Sequence, residues 1–185
     1  MKRAALTTIL LAWLTVSYSQ SSFQRTNYLI ADMDSLSALP AMEKMLSDIV
    51  GVSGLSASFV IKQGDVENMQ ASISKKKRII LYNPEFVKWL YKATHDKWAA
   101  VTLLAHEVGH HLNGHTIRHG GSRPRVELEA DEFAGFILYK LGASLPQAQE
   151  VMKYIATKEG SSTHPSRRER MDAIERGWQR GIAVR

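Results

Sequence analysis

His106, Glu107 and His110, in the string HEVGH, are the residues of this chain whose types and spacing most directly suggest chemistry. Residues four apart lie on one face of an α-helix, so His106 and His110 would point the same way with Glu107 beside them. Two neutral imidazoles so placed can hold one zinc ion, and the intervening carboxylate can take a proton from a water that the metal has acidified. This is the His-Glu-x-x-His arrangement of a zinc hydrolase. A catalytic zinc has three protein ligands and one open position, so a third ligand has to come from elsewhere.

A third histidine in the spacing H-E-x-x-H-x-x-G-x-x-H would need glycine at 113 and histidine at 116. The chain has Asn113 and Thr116 there, with Gly114 and His115 each one residue out of step, which disfavours a three-histidine site. Further on, RVELEADEFAGFILYKLG offers Glu127, Glu129, Asp131 and Glu132. Glu127 and Asp131 are four apart, so one can bind metal while the other orients a ligating imidazole through its free N–H. Glu129 is turned roughly 160° from that pair. Acidic residues early in a helix also compensate its dipole, but the HEVGH string ahead of this cluster favours ligation. His111, His115 and His119 recur every four residues and suggest a second metal site, against which Gly114 interrupts any continuous helix.

These residues need elements to hold them. Trp98 to Thr116 reads as a helix with Trp98, Val101, Leu104, Ala105 and Val108 on its buried side and Asn113-Gly114 as its stop. The acidic helix carries Ala130, Ala134, Ile137, Leu138 and Leu141 as its stripe, stops at Gly142 and should pack on the first. Upstream, Leu39 to Val50 has Leu39, Met42, Met45, Leu46 and Ile49 at helical spacing. SFVIK (58–62), NMQASI (68–73) and RIILY (78–82) have the β-branched and aromatic content of strands. Joined by Gln63-Gly64-Asp65 and by Ser74 to Lys77, they predict an antiparallel meander with the lysines at a hairpin tip. Asn83-Pro84-Glu85 starts a further helix, Pro146 to Lys158 gives another, and the last begins at Ser166 with Glu169 as its capping-box partner and stops at Gly177. The class is α+β, mainly helical, with a small antiparallel three-stranded sheet ahead of the zinc-binding helix.

With 185 residues, 44% hydrophobic and 23% charged, the chain has the content of a single domain. Lys2 and Arg3, an apolar run from Ala4 to Val16 and small polar residues after it read as a secretory signal over 1–19, leaving one domain over 20–185. The expected location is therefore the periplasm or the exterior, with no stable membrane span once the signal is cleaved. With no cysteine, disulfides, thiolate metal sites and cysteine nucleophiles are excluded. The formal charge of +6 is mild and scattered, without the aromatic interleaving of nucleic-acid binders. No oligomeric state can be read from the sequence.

HEVGH at 106–110, ELEADEFAG at 127–135 and STHPSRRER at 162–170 together resemble the gluzincin metallopeptidases of metallopeptidase family 48, which includes the HtpX-like heat-shock proteases and the CaaX prenyl proteases. NMQASI and RIILYNPEF also resemble the strands that precede the zinc helix there, so the resemblance covers roughly 39–176. It implies a zincin-like fold in which His106, His110 and Glu127 bind one zinc ion per chain and Glu107 is the general base. It further implies that Asp131 supports a ligand, that His164 stabilises the oxyanion and that Arg170 organises this region. The chain departs from the membrane-embedded members in having no internal run of 18 apolar residues, which favours a soluble exported version. The expected activity is hydrolysis of peptide bonds in unfolded or extended protein substrates, as an endopeptidase serving exported-protein quality control. The alternative is a catalytically silent or latent module that keeps zinc for stability and binds partner proteins.

Overall fold

The computed structural model describes residues 36–55, 58–117 and 123–184. The expected signal at 1–19, the lead-in after it and His119 lie outside the described residues. Helix α1 (Leu39–Ser53) buries its methionine stripe, with Met42, Met45 and Ile49 in the core. Strands β1 (Phe59–Gln63), β2 (Met69–Ser74) and β3 (Lys77–Tyr82) follow close to the predicted runs. Asn83 caps α2 (Pro84–Thr94), its side chain accepting from the N–H groups of Glu85 and Phe86. Helix α3 (Trp98–Leu112) carries the HEVGH string and is buried along almost its whole length. A 3-10 turn at His115–Ile117 comes next, and helix α4 (Pro124–Leu141) ends at Gly142 with φ 90°.

The sheet is mixed and corrects the predicted antiparallel meander. Its order is β1-β3-β2, with β1 parallel to β3 and β2 antiparallel to it. Lys75 and Lys76 have φ of 50° and 63°, so β2 and β3 do form a tight two-residue hairpin with lysines at its tip. Gln63-Gly64-Asp65 is not a hairpin turn. The chain instead passes over the end of β3, where Gly64 N–H donates to Tyr82 O at 3.0 Å and Asn83 N–H to Asn68 O at 2.8 Å. This places β3 in the centre with Ile80 and Tyr82 fully buried, and leaves β1 and β2 as edges.

Two helical expectations are also corrected. The segment 146–158 is not one helix but α5 (Leu145–Gln149) and α6 (Met152–Ile155), after which the backbone extends at Ala156. The extension at Ala156 has a partner downstream: the Arg167 guanidinium donates to Ala156 O and the Arg167 N–H to Thr157 O, taking the carbonyls that a continuing helix would use. The last helix, α7 (Arg167–Ala183), begins with the predicted Ser166–Glu169 capping box but runs past Gly177. Gly177 is a contact point, since a Cβ there would lie 1.8 Å from Glu132 O, and one at Gly135 would lie 2.0 Å from Ile174 O. Only glycine at both positions lets α7 and α4 touch backbone to backbone. No helix among the described residues is long and apolar enough to cross a membrane.

Candidate active site

Helix α3 presents His106 and His110 on one face, and α4 crosses beneath it closely enough that a Cβ on Gly109 would lie 3.2 Å from the Ala130 backbone. That approach brings Glu127 to both imidazoles. His106 Nε2 and His110 Nε2 are 3.0 Å apart, Glu127 Oε2 is 3.3 Å from the first and Glu127 Oε1 is 3.6 Å from the second. Three ligands bonded tetrahedrally to one zinc at about 2.1 Å would be about 3.4 Å from each other. Among the described residues this is the one group of histidines and carboxylates placed to hold a metal ion.

The partners of the other ring nitrogens set which nitrogen of each neutral ring keeps its proton. His106 Nδ1 lies 2.8 Å from Asp131 Oδ1, and a carboxylate only accepts, so Nδ1 carries a proton and Nε2 has the lone pair of the neutral ring. Asp131 is in turn gripped by Arg170, whose Nε donates to Oδ2 and Nη2 to Oδ1, both at 2.7 Å. Asp131, Arg170 and His106 are all buried. His110 Nδ1 lies 3.0 Å from His115 Nδ1, and His115 Nε2 lies 3.0 Å from Glu129 Oε2. Glu129 accepts the His115 Nε2 proton, so in the singly protonated ring His115 Nδ1 is the atom that accepts from His110 Nδ1–H. With both rings neutral, two lone pairs and a carboxylate converge with no donor among them, a set that fits a divalent cation.

Without a metal, one proton must occupy this space. Burial opposes a charge on His106, but Asp131 outweighs it and raises His106 to about 9. Burial, together with the charge of His106, pushes His110 down to about 3. The proton of the metal-free pair therefore sits on His106, donated to His110.

Glu107 lies beside the two ligands with Oε2 accepting from the Ala71 N–H of β2 at 2.6 Å. Burial raises its pKa to about 7 against the opposing pull of the His106 charge and the Ala71 N–H. A cleft of about 830 Å³ opens over these residues, lined also by Asn68 to Ala71 and by the chain from Ile155 to Ser161. His164 is exposed and lines the same cleft. Its loop is shaped by Gly160, which has φ 72° and no room for a Cβ beside Ser166 N at 2.5 Å. Ser161 Oγ accepts from the His164 N–H at 3.0 Å.

Residues 120–177 match the family model of peptidase family M48. The match supports a metallopeptidase of that family, whose members depend on zinc. It contains Glu127, Asp131, His164 and Arg170 and leaves the HEVGH string outside, so the two halves of the site are supported separately. No curated protein and no solved structure matches the chain.

The structure thus brings together His106, Glu107, His110, Glu127, Asp131 and Arg170, and puts His164 at the cleft. It also assigns the acidic pair, with Glu127 facing the imidazole Nε2 atoms and Asp131 behind His106. Three contacts were not anticipated: Ala71 on Glu107, His115 on His110, and Glu129 on His115. The first is a backbone contact that no residue type announces. The other two had a signal in the histidine five residues beyond HEVGH, although its spacing suggested a second metal site. That second site is not formed among the described residues, because His111 is engaged by Ile79 O and Thr116 Oγ1, and His115 by His110 and Glu129.

Proposed function

We propose that this chain is a zinc-dependent endopeptidase that cleaves unfolded or extended polypeptides outside the cytoplasm. The observation that carries this reading is the convergence of three acceptor atoms on one point, with a buried carboxylate of raised pKa beside them under the edge of a sheet. A zinc ion held by His106, His110 and Glu127 would acidify a water and polarise the scissile carbonyl. Glu107 takes the proton as the water oxygen bonds to the carbonyl carbon, and delivers it to the amide nitrogen as the carbon–nitrogen bond breaks. Burial raises the pKa of Glu107, the direction needed by a base that must also return its proton. His164, which lines the same cleft, can donate a hydrogen bond to the oxyanion.

Strand β2 supplies a surface for the substrate. Ser74 and Lys77 close the hairpin, so Gln70, Ser72 and Ser74 exchange bonds with β3, while Ala71 and Ile73 aim theirs away from it, the Ala71 N–H to Glu107. An extended peptide can pair with that edge through its backbone, which selects unfolded chains with little regard to sequence. Export and quality control rest on the leader-like N-terminus and the family resemblance.

The test is Glu107→Gln, which keeps the shape of the side chain and removes the base. It should bind zinc as the wild type does while degradation of casein falls by at least ~100-fold. Equal casein degradation by the two proteins sinks the peptidase reading. If neither degrades casein but both bind zinc, the silent zinc-stabilised module is favoured.

A further inference from the structure

Asp131 is the support expected for a ligand, but of the two ligating imidazoles it touches only His106. The second ligand, His110, is held by a different device, and we infer that His115 and Glu129 act as positioning residues that fix the tautomer and orientation of His110 for metal. The inference rests on the reading that His106, His110 and Glu127 hold a metal ion.

A residue five positions after His110 would lie about 140° around a continuous α-helix, out of reach of its ring. Helix α3 instead stops at Leu112, and Gly114, with φ 73°, turns the chain back. His115 then returns under His110 with its side chain 3% exposed and Nδ1 at 3.0 Å from His110 Nδ1. Glu129 faces away from the metal on α4, as its spacing from Glu127 requires, and so reaches the outer nitrogen of His115 at 3.0 Å.

The two contacts work in series through proton positions. A carboxylate on His115 Nε2 accepts a hydrogen there, so the neutral ring presents a bare Nδ1 inward. That lone pair accepts from His110 Nδ1–H, and His110 then has its other lone pair on Nε2, the atom 3.0 Å from His106 Nε2. If His115 took the opposite tautomer, its Nδ1–H would face His110 and favour a proton on His110 Nε2, where it blocks ligation. Glu129 prevents this. Outer partners of this kind are worth ~10–100-fold in metal affinity.

The experiment measures zinc affinity of the metal-free protein by competition with a chromophoric chelator, and the visible spectrum of the cobalt(II)-substituted protein. His115→Ala should weaken zinc ~10–100-fold and alter the cobalt spectrum. His115→Asn, whose amide oxygen can stand where Nδ1 stood and accept from His110, should recover part of the affinity. Glu129→Ala should weaken zinc ~10-fold, and its partly exposed side chain makes it the variant to rely on if His115→Ala does not fold. A merely structural contact would lower the unfolding temperature of the metal-free protein and leave both metal readouts unchanged, which overturns the inference. His110→Ala separates the two ideas. If it loses zinc while His115→Ala and Glu129→Ala stay within twofold of wild type, this inference fails and the metal site stands. If His110→Ala itself binds zinc like the wild type, the metal site is wrong and the inference falls with it.

Discussion

His106 rests on a carboxylate that water does not reach, whereas His110 rests on a second imidazole whose own support stands at the surface. Asp131 is 0% exposed and clamped by a buried guanidinium. Glu129 has a side chain 39% exposed and shares itself with Arg125, which is 90% exposed. Both arms do the same thing, holding a proton on Nδ1 so that Nε2 is the nitrogen that can turn a lone pair to a metal. They do it in different dielectrics. A buried ion pair is worth little compared with a well-packed apolar pair, yet breaking it by removing one partner is expensive because the other charge is stranded. An exposed pair is screened and can be changed without penalty to the fold. The first arm therefore ties the centre to the packing of α7 on α4, and the second adjusts the centre from outside.

The comparison is broken most severely at Asp131. Asp131→Ala strands Arg170 and should lower the unfolding free energy of the metal-free protein by about 3–5 kcal/mol in denaturant melts. A loss below about 1 kcal/mol would mean that the ion pair does not hold the arm together. Protons distinguish the arms next. With His106 raised to about 9, zinc must displace one proton at any pH below that value, whereas His110, near 3, has none to lose. Zinc affinity should therefore fall roughly tenfold for each pH unit between about 9 and 7, and binding at pH 7 in weak buffer should release about one proton. An affinity flat across that range would show that Asp131 does not hold a proton on His106. The smallest effect belongs to the outer end of the second arm. Arg125→Ala should change unfolding free energy by less than about 0.5 kcal/mol, and raising salt should erase even that.

The individual elements were legible because their signals are local. The Asn83 cap, the Ser166–Glu169 box, the methionine stripe of α1 and the stops at Gly114 and Gly142 all act within a few residues. The order of the strands was not, because the five residues between β1 and β2 can close a hairpin or cross the end of a third strand. Burial of RIILY in the centre decides between them. Gly177 misled for a related reason: a glycine in a helical pattern reads as a stop unless the backbone of another helix is known to press on it. Ala156 and Thr157 leave the helical pattern with their carbonyls taken by Arg167, ten or more residues later.

For the site, the sequence by itself determined the reactive side chains. The spacing of His106 and His110, with Glu107 between them, is fixed by the pitch of a single helix, and so is the shared face of Glu127 and Asp131. Only the tertiary structure decided how these faces meet. Glycines 109, 135 and 177 set the separations of three helices, and those separations give Glu127 to both imidazoles and Asp131 to His106 and Arg170. The turn at Gly114 gives His115 to His110, and the strand order leaves Ala71 at an edge above Glu107. Helical pitch is a property of a few neighbouring residues. The distance between helices is a property of the whole core.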